Sequence, residues 1–181
     1  MIHDFTESLA RSHKASNLPI WEEMYRKAFY NFQAMIDHRP DGEHQRAGID
    51  RSVILENSKQ ILIDEKVRGR NQITGKVYDD ILLEFWSDTE RKKPGWVCKP
   101  LRSDYIAYAI APLGIGYLLP VPQLQSAWRI YSAKWLREGH IKLTRNPGWI
   151  TSSIPVTVPV LFAAIGNQLR INFTPCEVGN E

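Results

Sequence analysis

Two apolar segments joined by a short polar break constrain this chain more than any other stretch. Ala47-Gly48-Ile49-Asp50-Arg51-Ser52-Val53-Ile54-Leu55 is followed, after Glu56-Asn57-Ser58, by Lys59-Gln60-Ile61-Leu62-Ile63-Asp64-Glu65-Lys66-Val67-Arg68. Both halves are rich in Val, Ile and Leu, and the Asn-Ser break predicts a turn, so the pair reads as an antiparallel hairpin. Alternation along the second strand puts Leu62, Asp64 and Lys66 on one face and Ile61, Ile63, Glu65 and Val67 on the other. A carboxylate and an ammonium therefore point the same way beside apolar strand.

Burying such a pair is costly unless further charge compensates it, and a divalent cation with a phosphate ligand would compensate both groups at once. Asp50, on the neighbouring strand, offers a second carboxylate. Two carboxylates and a lysine converging on a sheet suit Mg²⁺- or Mn²⁺-dependent phosphodiester hydrolysis. Hard oxygen ligands hold the ion, the ion lowers the pKa of bound water, and the lysine steadies the attacking hydroxide. The competing reading is a solvated strand end carrying a weak surface ion pair.

Gly48-Ile49-Asp50, followed 14 residues after Asp50 by Asp64-Glu65-Lys66 at the end of an Ile-Leu-Ile strand, resembles the PD-(D/E)xK nuclease superfamily. Ile49 stands where that family has its proline. The resemblance covers roughly residues 17–87. It implies an α/β chain with a restriction-endonuclease-like mixed β-sheet flanked by helices, in the order α-β-β-β…α-β. It also implies that Asp50 and Asp64 ligate metal, that the Glu65 backbone carbonyl is a further ligand, and that Lys66 orients water. An acidic residue on the first helix is an extra ligand in some members, which makes Glu22 a candidate.

Around this centre the remaining chain falls into short elements. Residues 1–16 lack periodicity and read as a leader, and residues 17–181 as a single domain whose stretch 140–181 forms a flap or edge extension. A helix is predicted from an Asn17 cap and Pro19 through Trp21, Met24, Tyr25, Ala28, Phe32, Met35 and Ile36. Asp37 to Arg46 reads as a polar loop that holds Glu43 and His44 in reserve as site residues. Past the hairpin, the glycine-containing loop carrying Arg68, Arg70, Gln72 and Lys76 is placed to contact backbone phosphates. A third strand over residues 80–87 carries Glu84 among apolar neighbours, as a support to the metal shell or a partner for Lys66 or Lys99.

Arg91, Lys92 and Lys93 precede Trp96, and with Lys99 they read equally as a basic platform for a nucleic-acid strand or as an ordinary exposed hairpin loop. Strands are predicted over 104–111 and 115–119, and a helix from Pro122 to Gly139 is expected to cover the sheet opposite the first helix.

With 181 residues, 43% hydrophobic and 24% charged, the chain has the composition of a soluble globular protein, and its net charge of +3 permits a polyanionic partner. No apolar run reaches transmembrane length, and the expected location is the cytoplasm. Cys98 and Cys176 belong to no paired-cysteine motif, which argues against a zinc site or a disulfide framework. The expectation is thus a metal-dependent deoxyribonuclease whose partner is nucleic acid, DNA foremost, and self-association into a homodimer is compatible with it. The alternative is a non-catalytic nucleic-acid- or protein-binding module on the same fold.

Overall fold

The computed structural model of the chain describes residues 19–71, 73–166 and 169–177; the expected leader, the Asn17 cap and Gln72 lie outside the described residues. The chain is mixed α/β, with a six-stranded mixed sheet, a four-stranded antiparallel sheet and few helices. Its contacts divide it into two compact units, each assembled from separated stretches.

Among the described residues, the unit that carries the hairpin comprises 19–71, 73–78, Leu101–Val121 and 169–177. Strands β2 (Arg51–Leu55) and β3 (Gln60–Arg68) pair antiparallel, with Arg51 opposite Ile63 and Val53 opposite Ile61. The turn between them closes as the Asn-Ser break predicts. The Asn57 side chain accepts the Lys59 N–H at 3.0 Å, and Ser58 takes a positive φ of 60°.

Four more strands complete this sheet: β1 (Phe32–Asp37), β6 (Tyr105–Ile110), β7 (Ile115–Pro120) and β10 (Leu169–Asn172). Their order is β1-β2-β3-β6-β7-β10, and β3 with β6 is the parallel pair. A parallel pairing needs a crossover. Here the chain leaves after Arg68 and returns at Tyr105, building β4 (Asp80–Asp88) and β5 (Lys93–Pro94) in between.

Helix α1 (Ile20–Ala28) lays Trp21, Met24 and Tyr25 on one face of this sheet, against Val53, Ile61, Ile63, Ala107, Leu118 and Ile171. It is shorter than the apolar spacing predicts. Phe29 is already extended, and Phe32–Asp37 pairs with β2 as a strand, Met35 opposite Val53. Phe32, Met35 and Ile36 fit either period over so short a run, and the open edge of β2 decides for the strand by offering ladder hydrogen bonds.

The polar segment after β1 also differs from the expected loop. It contains helix α2 (Gly42–Ala47), capped by the Asp41 carboxylate accepting the Glu43 N–H at 2.8 Å. Gly48 ends that helix in the left-handed conformation with φ 71°.

The second unit holds Asp79–Pro100 and Pro122–Gly166. Its sheet runs β5-β4-β9-β8, with β8 at Lys142–Asn146 and β9 at Trp149–Thr157. Helix α3 (Val121–Glu138) sets Trp128 against Phe85 of β4, ring centroids 5.9 Å apart, so it lies on the four-stranded sheet. Helix α4 spans Val158–Ile165. The stretch expected as a flap or edge extension thus splits: β10 is an edge strand on β7, whereas β9 lies between β4 and β8.

Among the described residues, no helix is long and apolar enough to cross a membrane. Cys98 and Cys176 are free thiols.

Gly48 is the backbone joint that delivers the chain from α2 to Asp50. A Cβ at this position would lie 2.4 Å from Leu101 Cδ2, in addition to the left-handed φ. Gly48→Ala is expected to lower unfolding free energy by about 1–2 kcal/mol, measured as a shift in urea midpoint at unchanged slope. An unchanged midpoint would mean that this joint is not held in the left-handed conformation.

Candidate functional site

The hairpin register decides which side chains meet. Arg51 opposes Ile63, so Asp50, one residue before β2, comes level with Asp64. The Asp50 N–H donates to the Ile63 carbonyl at 2.9 Å, and one Asp50 carboxylate oxygen accepts the Glu65 N–H at 2.8 Å. Lys66, two residues beyond Asp64 on the same face, donates to the Asp64 carboxylate, and its Nζ lies 3.4 Å from the Glu65 carbonyl oxygen. Asp50, Asp64, Lys66 and the Glu65 main chain therefore converge, as the sequence predicts.

Asp64 is 3% exposed, and its carboxyl is pushed up to about 7. Burial is the largest cause; the neighbouring Asp50 carboxylate adds to it, and Lys66 works against it. With all three side chains ionised the cluster carries one net negative charge. It is a place that favours added positive charge, whether proton or cation.

The opposite face of β3 holds this arrangement still. Glu65 points away from Asp64, its side chain wholly buried, and binds the Arg51 guanidinium at 2.6 Å and the Tyr25 hydroxyl at 2.7 Å. Burial raises the Glu65 carboxyl, and its bonds to Arg51 and Tyr25 act against that shift. Burial and the Glu65 carboxylate together hold the Tyr25 phenol well above its ordinary value, so it remains a donor. Sequence reasoning missed this triad. Its signal was the 14-residue spacing of Arg51 and Glu65, which repeats that of Asp50 and Asp64 on the other face of the same hairpin.

A second network borders the cluster. Ser52 shares the Asp50 face; its hydroxyl lies 2.6 Å from His38 Nε2 and accepts the Gln60 side-chain amide at 2.6 Å. The His38 ring stacks on His44 with centroids 4.1 Å apart and planes within 6°, and His44 Nδ1 lies 2.7 Å from Asp41. Burial lowers the His38 pKa, and the neighbouring His44 acts in the same direction. Ser52 and His38 have the spacing of a nucleophile and its base. Ser52 is fully buried, so its oxygen is closed to substrate and the pair supports structure around Asp50.

The other expected site residues are distributed as follows. Glu22 sits on α1, which covers the Ile61–Ile63–Glu65 face, and its carboxylate pairs with Arg26 at 2.7 Å; it does not join Asp50 and Asp64. Arg68 lies over the Tyr78 ring at 4.7 Å, and Lys76 Nζ is 5.3 Å from the same ring. Arg70 pairs with Glu177 at 2.7 Å. Asn71 folds the loop by accepting the Ile73 and Thr74 N–H groups, each at 2.9 Å. Glu43 is exposed on α2.

Glu84, Arg91, Lys92, Lys93 and Lys99 belong to the second unit. There Arg91 pairs with Asp88 at 2.7 Å, Lys92 and Lys93 are exposed, and the Lys99 carbonyl accepts the Gln125 amide at 2.7 Å.

Among the described residues, no group of three or more His, Cys, Asp or Glu side chains is arranged to hold a metal ion. The donor set at the cluster is instead two carboxylates and one main-chain carbonyl. Such hard oxygens match Mg²⁺ or Mn²⁺, which are often held by one or two carboxylates with water and phosphate oxygens completing the shell.

The Asp64 shift has a sign that can be measured. Its folded pKa of about 7 exceeds the ordinary 3.8, so the protonated form stabilises the fold below about 4, and that contribution is lost as pH rises towards 7. Asp64→Asn should therefore gain stability relative to the parent chain between pH 4 and 7, read from urea midpoints across that range. Parallel curves would mean that Asp64 titrates as an ordinary carboxyl. Searches of the chain against protein-family models, curated proteins and solved structures found no match.

Proposed function

We propose that this chain is a metal-dependent phosphodiesterase acting on nucleic acid, DNA foremost, with a restriction-endonuclease-like arrangement around the β2–β3 hairpin. One observation carries the reading: the Lys66 ammonium already rests on the Asp64 carboxylate and near the Glu65 carbonyl, with Asp50 bound to the N–H of the same Glu65. A set of oxygens that accommodates an ammonium in this way suits a second cation.

In this reading Asp50, Asp64 and the Glu65 carbonyl hold Mg²⁺ or Mn²⁺. When bound, the ion supplies a lowered pKa for coordinated water and neutralises charge on the scissile phosphate. Lys66 orients the attacking water and offsets charge that develops on the phosphoryl oxygens. The Arg51–Glu65–Tyr25 triad keeps the carbonyl and N–H of Glu65 directed at the cluster. Arg68, Arg70 and Lys76 lie in the same unit, and contact with the phosphate backbone falls to them first.

Cleavage of linear, branched and single-stranded DNA in the presence of Mg²⁺ or Mn²⁺ tests the reading directly. Asp64→Ala should abolish cleavage. Lys66→Ala should reduce the rate by about 10²-fold or more while Mn²⁺ binding, followed by calorimetry, persists. Cleavage that survives Asp64→Ala would remove the assigned site. Salt-sensitive DNA binding without cleavage would leave the non-catalytic module.

A further inference from the structure

We propose that the stacked imidazoles of His38 and His44 form a clamp that positions Asp50, a role that deepens the phosphodiesterase reading and rests on it for its catalytic meaning. The main chains of the two histidines hold the peptide groups that flank the Ile49–Asp50 peptide. The His38 main-chain N–H donates to the Asp50 carbonyl at 2.9 Å, and the His44 main-chain carbonyl accepts the Ile49 N–H at 2.9 Å. Their rings, 4.1 Å apart and nearly parallel, tie these two anchor points together.

Each ring is itself held. His38 Nε2 lies 2.6 Å from Ser52 Oγ on β2, and His44 Nδ1 lies 2.7 Å from the Asp41 carboxylate that caps α2.

Asp50 lies one residue before β2, between the left-handed Gly48 and Arg51, with its N–H on the Ile63 carbonyl of β3 and its carbonyl on the His38 main-chain N–H, each at 2.9 Å. Its carboxylate meets the Glu65 N–H at 2.8 Å. The stacked rings brace this segment from the side away from β3. His38 and His44 are thus positioning residues, acting on the cluster through Asp50.

Two substitutions separate stacking from simple bulk. His44→Ala removes the ring, whereas His44→Phe keeps a flat face for His38 and forgoes only the bond to Asp41. The Glu65 amide resonance reports the Asp50 carboxylate without any need for activity. His44→Ala should shift it upfield and speed its hydrogen exchange, and should weaken Mn²⁺ binding about tenfold, within the range for residues that orient ligands. His44→Phe should restore both readouts.

The clamp is overturned if the Glu65 amide in His44→Ala matches the parent chain, or if the Phe and Ala variants are equally impaired. Absence of Mn²⁺ binding by the parent chain would defeat the phosphodiesterase reading instead, and the amide readout would still decide the clamp.

Discussion

A carboxylate with no exposed surface, Glu65, is tied to Arg51 and Tyr25, and the hairpin depends on this pairing. Taking both charges out of water is expensive, and only close, multiply bonded geometry offsets it. Removing one partner from such a pair typically costs about 3–5 kcal/mol. The pairing also fixes register. A one-residue slip of β3 against β2 would turn Glu65 to the other face and carry Asp64 into the apolar layer under α1. The buried triad and the Asp50–Asp64–Lys66 cluster are therefore two sides of one alignment.

The site face has the opposite electrostatic character. Beneath the sheet, the Glu65 charge is balanced by the Arg51 guanidinium, and the neutral Tyr25 phenol adds a hydrogen bond. On the other side, two carboxylates share one ammonium, and burial adds to the strain on Asp64.

The hairpin was legible in the sequence because alternation along Ile61 to Val67 and the Asn57-Ser58 break point to one solution. Alternation gave the shared face of Asp64 and Lys66, whereas the approach of Asp50 needed the register of the assembled hairpin. Helix α1 was legible only as far as Ala28, because Phe32, Met35 and Ile36 suit both periods and only the exposed edge of β2 decides between them. Helix α2 was hidden by its length and polarity, although Asp41 and Gly48 mark its two ends. The triad and the histidine stack were not readable locally. Each joins residues whose adjacency depends on the sheet being assembled. Glu22 was misplaced because its helix covers the far face of the strand that carries Asp64. The paired lysine and arginine runs showed charge but not which unit would bear it.

The parallel β3–β6 contact has a consequence for how the molecule is made and how it can vary. The hairpin closes over a few residues, whereas β6 joins it only after residues 69–104 have been spanned, so the hairpin can form early and the sheet's far half late. Closure entropy grows only with the logarithm of loop length. The excursion is no free loop, however: it carries β4, whose fully buried Ile81 and Leu83 pair against β9, so changes of length are tolerated only in the stretches that flank that strand.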